Sequence, residues 1–341
     1  MINISKKTLQ DLEFESVILQ VATHNVTILG KLEVLSTTPF SERVDVLEAL
    51  QLTNEFVTSF DNENRVPNHG FDAITEELKL VRIENNYLEI DGFRKIAGIC
   101  VTTNVLLKFF KKFHEYYPLL KALSSELEPN KDISETINGV IDKYGDIRND
   151  ASDTLYGLRK SIQSVRTKIN TSFNSALSMY NSADYLDDIR ETVMENRRVL
   201  AVKAMYRRKV KGSILGASKT GSIVYIEPDT TQQHQRDLNN LEFEETEEIK
   251  RILLELTSFI RGYAPLLEDY QLFLTKIDVI YAKAKYAKSI SGVLPEITKH
   301  QEIDLVNAYH PLLLVANQNE GITTFPQTIT MTTESRIIVI S

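Results

Sequence analysis

The chain has 341 residues, 42% apolar and 25% charged, which is enough for two or three domains with cores of their own. Its single cysteine, Cys100, excludes an internal disulfide framework and fits a reducing cytoplasm. The net charge of −8 argues against a chain that binds polyanions along its whole length, and no apolar run approaches the ~20 residues that span a bilayer.

The opening Met1-Ile-Asn-Ile-Ser-Lys-Lys7 is not a signal peptide. With only 13 Gly and 9 Pro, long stretches run without punctuation, which favours helices. Residues 1–60 carry two or three helical patterns, broken at Thr37-Thr-Pro-Phe40. Asp61 to Gly70 (DNENRVPNHG) is a loop by its turn chemistry. Further helices fill 71–128, with a polar break at Glu84-Asn-Asn86, a helix end near Pro118 and a turn at Glu128-Pro-Asn-Lys131.

Two long seams follow. Ala151, Leu155, Leu158, Ile162, Val165 and Ile169 alternate spacings of four and three, as a heptad does, on a helix expected from Ile147 to Tyr180. The second seam is Ile249, Ile252, Leu256, Phe259, Tyr263, Leu266, Tyr270, Phe273 and Ile277. Pro265 should kink or divide that helix near Gly262. The pair predicts an antiparallel arm carrying whatever lies between.

That intervening segment is different in kind. Apolar runs flank Glu195-Asn-Arg197, and Ser213–Ala217 and Ser222–Ile226 flank Ser218-Lys-Thr-Gly221. Both read as β-hairpins, closed off by Pro228. Between Arg197 and Lys219 stand eight cations and no acid: Arg197, Arg198, Lys203, Arg207, Arg208, Lys209, Lys211 and Lys219. Against the total of −8, the rest of the chain therefore sums to −16, so an acidic body carries one basic tip. Lys and Arg contacts to phosphate dominate affinity for nucleic acid, and Tyr206 and Tyr225 stand ready to stack or hydrogen-bond beside them. A further alternative for the same cluster is an acidic protein partner, in a purely structural coiled-coil adaptor. Glu242-Phe-Glu-Glu-Thr-Glu-Glu248, with five glutamates in seven residues, reads as a solvated face, with pairing to Lys250 and Arg251, or repulsion of phosphate so that only the tip touches it, as the other options.

Two apparent motifs fail on chemistry. Gly216-Ala-Ser-Lys-Thr-Gly221 has the glycine spacing of a phosphate loop, but Ser222 stands where a lysine must reach the phosphates. Lys219-Thr-Gly221 matches a β-lactamase triplet, but the Ser-x-x-Lys that would supply the nucleophile is missing from the chain. The histidines at 24, 69, 114, 234, 300 and 310 have no ligand spacing among themselves or with Cys100, so no metal site and no catalytic residue are assigned. Beyond Pro295, Ile303–Val306, Ile329–Thr332 and Arg336–Ile340 are short strand candidates, preceded or interrupted by Asn307-Ala-Tyr-His-Pro-Leu-Leu-Leu314. His310 is placed either at the edge of a nucleotide pocket or as a plain capping residue.

"HPLL" followed after a connector by "RIIVIS" resembles the entry to the ATPase domain of the MutS family. The second bacterial type, the Smr-endonuclease branch, is matched by "DLEFESVILQVA", "VTILGK", "LEIDGFRKI", "DIRNDASDTLYGLRKSI", "LNNLEFEETEEIKRIL" and "KIDVIYAKAKYAK". It is matched most extensively by "YLDDIRETVMENRRVLAVKAMYRRKVKGSILGASKTGSIVYIEP" at 185–228. The resemblance implies a mainly α fold with a small β module, in five parts. These are a helical core at 1–130, an outgoing lever helix at 131–190, a basic β clamp at 191–230, a returning lever helix at 231–291, and at 292–341 the first strands of an α/β ATPase domain truncated just before its Walker A loop. It implies a cytoplasmic homodimer that embraces duplex or branched DNA in recombination control. Mismatch reading is not implied, because no N-terminal mismatch-reading domain precedes the core. Some members act instead on stalled ribosomes, which makes RNA the alternative partner. ATP and Mg²⁺ belong to the full-length protein, where His310 and Phe325 could touch the adenine edge. These 341 residues are expected to bind and hydrolyse none, and the family's nuclease domain is not among them.

Overall fold

The structure, a computed structural model, describes residues 4–335, so the expected strand Arg336–Ile340 lies outside the described residues. The fold is mainly helical with a small antiparallel β module. The chain divides into two compact units, one made of Met1–Ile137 with Phe259–Ser341 and the other of Asn138–Ser258.

The first unit opens with α1 (Lys6–Asp11), α2 (Phe14–Ala22), α3 (Ile28–Leu35) and α4 (Arg43–Ser59). The break at Thr37–Phe40 and the loop after Asp61 fall where turn chemistry put them. Then come α5 (Thr75–Val81), α6 (Ile90–Lys112), α7 (Pro118–Ala122) and α8 (Asp132–Val140). Pro118 starts a helix rather than ending one: its missing N–H is harmless at the first turn, and the Glu55 carboxylate accepts the N–H groups of Leu119 and Leu120 at 2.9 Å each.

The first long helix, α9 (Asp153–Ser182), begins later than the heptad suggested. Residues 141–151 instead fold back, with an Ile141–Ile147 bridge and a turn in which the Asp142 carboxylate accepts from Tyr144 and Asp146 N–H. Ser152, bonding to Leu155 N–H at 3.0 Å, caps the true start.

The second seam is not one helix. It divides, as Pro265 requires, into α10 (Asp229–Arg261) and α11 (Ala264–Ser289), with the proline in the first turn of α11. The expectation that this whole seam packs on α9 is corrected by where α11 lies. It packs against α2, α3, α4, α5 and α6 and is buried nearly all round, at Leu267, Tyr270, Phe273, Leu274, Ile277, Ala282 and Ala284. Tyr270 Oη donates to Glu128 O and accepts from Asn130 N–H.

α10 and α9 do pair antiparallel within the second unit. Ser152 reaches Glu248 at 2.7 Å, Arg159 reaches Glu245 at 2.7 Å, and Arg166 reaches Glu242 at 2.8 Å. The acidic run is therefore more than a solvated face: three of its glutamates, one turn apart, lock onto the facing helix. Finally β5 (Ile303–Ala308) and β6 (Gln327–Met331) pair antiparallel around α12 (Pro311–Glu320).

Candidate nucleic-acid interface

The β module is a four-stranded antiparallel sheet made of β1 (Leu186–Met194), β2 (Arg197–Lys203), β3 (Gly212–Ala217) and β4 (Ile223–Pro228), in the order β1-β2-β4-β3. Glu195 and Asn196 both take positive φ, 48° and 63°, so the first hairpin turns in the mirror-image conformation that matches strand twist. Gly221, at φ 72°, closes the second hairpin. β1 begins at Leu186, upstream of the expected β boundary at Glu191, and a bulge with Arg190 at φ 60° bends it.

One face of the sheet is dry. Leu186, Leu200, Val202, Val224 and Ile226 pack on Phe173, Ala176 and Tyr180 from the end of α9, and Val210 joins them from the connection between β2 and β3. Along β4, Val224 and Ile226 alternate with half-buried Ile223 and Tyr225, the period of two of a strand, whereas on β2 Val199 and Ala201 are buried as well, so that central strand is covered on both sides.

The eight cations divide into two groups. Arg197 donates to Glu227 at 3.1 Å, an acid whose side chain is only 5% exposed. Arg198 forks onto Glu191 at 2.6 and 3.1 Å, donates to Asn170 and Asn174, and lies 4.2 Å from the Phe173 ring centre. Lys203 pairs with Asp184 at 2.9 Å, a bond that holds its ammonium above the usual range. These three hold the sheet together and hold it to α9. The other five, Arg207, Arg208, Lys209, Lys211 and Lys219, are exposed, and among the described residues their side chains make no hydrogen bond or ion pair. Four of them sit on the β2–β3 connection and Lys219 on the β3–β4 turn.

The three counter-ions were missed in the sequence for a simple reason. Asp184, Glu191 and Glu227 all lie outside the window from 197 to 219, and antiparallel pairing carries them to the cations. Within the chain the Tyr206 ring lies on Tyr185, with ring centres 4.8 Å apart at 29°. Tyr225 lies on β4, paired across to Ala201 and Gly216.

In the first unit, His310 is the N-cap of α12, its Nδ1 accepting from Leu313 N–H at 3.4 Å. Phe325 lies in the connector to β6 and is 75% exposed. Among the described residues no group of three or more His, Cys, Asp or Glu side chains is placed to hold a metal ion, and no helix is long and apolar enough to cross a membrane.

No family model matches the chain. It is similar to curated proteins named Endonuclease MutS2. It is 28% identical over 312 residues to that of Clostridium perfringens strain 13, covering 91% of this chain and 39% of the relative. With that of Staphylococcus carnosus it shares 28% over 358 residues, and with that of Staphylococcus epidermidis 29% over 356, each covering 98% of this chain and 45% of the relative. The resemblance to the second bacterial MutS type thus extends along nearly the whole chain, which spans less than half the length of the curated relatives it matches.

Proposed function

We propose, proceeding from this kinship with the MutS2 proteins, that the chain is the DNA-contacting part of a MutS-type ATPase and that the unpaired basic surface of its β module meets the phosphate backbone. The observation that carries the reading is the division of the eight cations. Arg207, Arg208, Lys209, Lys211 and Lys219 face solvent and, among the described residues, make no ion pair, while Glu227, Glu191 and Asp184 are engaged by Arg197, Arg198 and Lys203. Cations left in that state attract a polyanion and release its counter-ions on contact, which is a sequence-independent mode of binding. It suits duplex or branched DNA better than a mismatch reader, so the role is control of recombination. In the full-length cytoplasmic protein two copies close around the nucleic acid as ATP and Mg²⁺ bind. His310 and Phe325 could offer an edge to a flat base there; the described residues around them provide no cradle for phosphates, and no step is assigned to them.

The test is salt dependence. Arg207→Glu, Arg208→Glu and Lys211→Glu together should weaken duplex binding and flatten the plot of log affinity against log salt by about 0.9 per lost contact. Arg198→Ala should leave that slope unchanged, because its guanidinium is already paired. An unchanged slope in the triple variant refutes the reading. Running ribosomes beside duplex and branched DNA assigns the same surface to RNA if only ribosomes are bound.

A further inference from the structure

We propose that Tyr180, Tyr185 and Tyr206 form a platform that fixes the β2–β3 connection in its phosphate-contacting arrangement before any nucleic acid arrives; the proposal rests on the reading above.

The topology makes the need plain. Lys203, the last residue of β2, pairs with Ile223 at one end of β4, whereas Gly212, the first of β3, pairs with Pro228 at the other. The connection 204–211 must therefore travel the length of β4, roughly 17 Å at 3.3 Å per residue, while a chain of that length could span about 27 Å. It has slack, and it carries four like charges that repel one another. Left to itself it would be mobile.

It is anchored at both ends and in the middle, and none of the anchors is a basic side chain. Ala204 N–H donates to Ser222 O at 2.9 Å. The Tyr206 ring lies on Tyr185, which in turn lies 6.4 Å from Tyr180 at 30°. Lys209 N–H donates back to Tyr206 O at 2.8 Å, and Val210 is 5% exposed in the core. Lys211 N–H donates to Tyr180 Oη at 3.1 Å, and Lys211 O accepts from Asp229 N–H at 3.3 Å. Tyr180 is itself on the last turn of α9, so a rigid helix holds the far end of the segment. The backbone is thus fixed while the Arg207, Arg208, Lys209 and Lys211 side chains stay free. Binding then does not have to order the segment or gather its charges, a cost that falls on affinity when it is met at the moment of contact.

Two measurements on the full chain test this. In the first, Tyr180→Phe, which keeps the ring and removes only the hydroxyl, should lower affinity for a duplex oligonucleotide roughly threefold to tenfold, the worth of one hydrogen bond, with the salt slope unchanged. In the second, without nucleic acid, trypsin should cut after Arg207, Arg208 or Lys211 several-fold faster in that variant at an unchanged melting midpoint. Tyr185→Leu should behave likewise and Tyr185→Phe as the unaltered protein, so the result does not hang on one substitution. Wild-type affinity or wild-type proteolysis in both Tyr180→Phe and Tyr185→Leu overturns the platform. So does a flattened salt slope, which would make the tyrosines phosphate contacts. Failure of the nucleic-acid reading shows separately, as a charge-reversal triple variant that binds duplex like the unaltered protein.

Discussion

Glu248 is the acid on which the start of α9 depends. Its Oε1 accepts from Ser152, the N-cap, at 2.7 Å, and Arg251 forks onto both oxygens at 2.7 and 2.8 Å. The Arg251 bonds, then the Ser152 bond, hold the carboxyl at about 2, down from 4.5. A depressed carboxylate stabilises the fold above its unfolded value and loses that contribution as pH falls through the folded one. Glu248→Gln should therefore melt lower than the unaltered protein at pH 7, with the gap closing between pH 4.5 and 2. Thermal melts across that range check it; a gap that stays constant would show that the charge is not what matters. Ser152→Ala should cost about 1 kcal/mol, the usual worth of an N-cap.

At the scale of elements, the α9–α10 pair shows how far a heptad can be trusted. Ile162 is 4% exposed and Leu256 is 4% exposed, while Gln163 faces solvent and Leu158 is only half-buried. Ile162→Ala or Leu256→Ala should cost roughly 2–5 kcal/mol, Leu158→Ala less, and Gln163→Ala almost nothing. Chemical denaturation of the four variants would refute the seam if Gln163 proved as sensitive as Ile162. The heptad was readable because periodicity is local. The helix start was not, because Ile147 has the apolar character of a seam residue but is taken by a bridge to Ile141.

At the scale of the molecule, the first unit is assembled from two stretches of chain that the second unit separates in sequence. Asp278 on α11 shows what joins them. It is fully buried and accepts from Val26 N–H at 3.1 Å, Thr27 N–H at 3.0 Å and the Thr27 hydroxyl at 2.5 Å, and pairs with His69 Nε2 at 3.0 Å. Burial alone would raise its pKa, but the bonds from His69 and Thr27 outweigh it and hold the carboxyl below its usual range. Asp278→Ala leaves the Thr27 and His69 donors buried without a partner and should destabilise this unit by roughly 3–5 kcal/mol. Gly30→Ala should be damaging by another route, since its Cβ would sit 2.1 Å from Asp278 Oδ2. A protein ending at Ser258 lacks α11 altogether and should lose the helical circular dichroism of residues 1–137. Retention of that signal would mean the N-terminal helices fold without their buried partner.

What the sequence determined by itself was everything carried by near neighbours: the helical periods, the two hairpin turns at Glu195–Asn196 and Ser218–Gly221, the division at Pro265, and a basic segment set in an acidic chain. Those signals depend on spacing, φ preference and local charge, all of which are properties of a short window. Tertiary structure decided which cations are free. Arg197, Arg198 and Lys203 look like Arg207 and Lys211 in the window, yet Glu227, Glu191 and Asp184 pair with the first three and, among the described residues, no acid pairs with the last two. It also decided that the second half of one seam belongs to the helical core, and that Asp278, an unremarked acid in an apolar helix, ties loops over two hundred residues away. Charge pairing and burial depend on distance in space, and only the fold sets that distance.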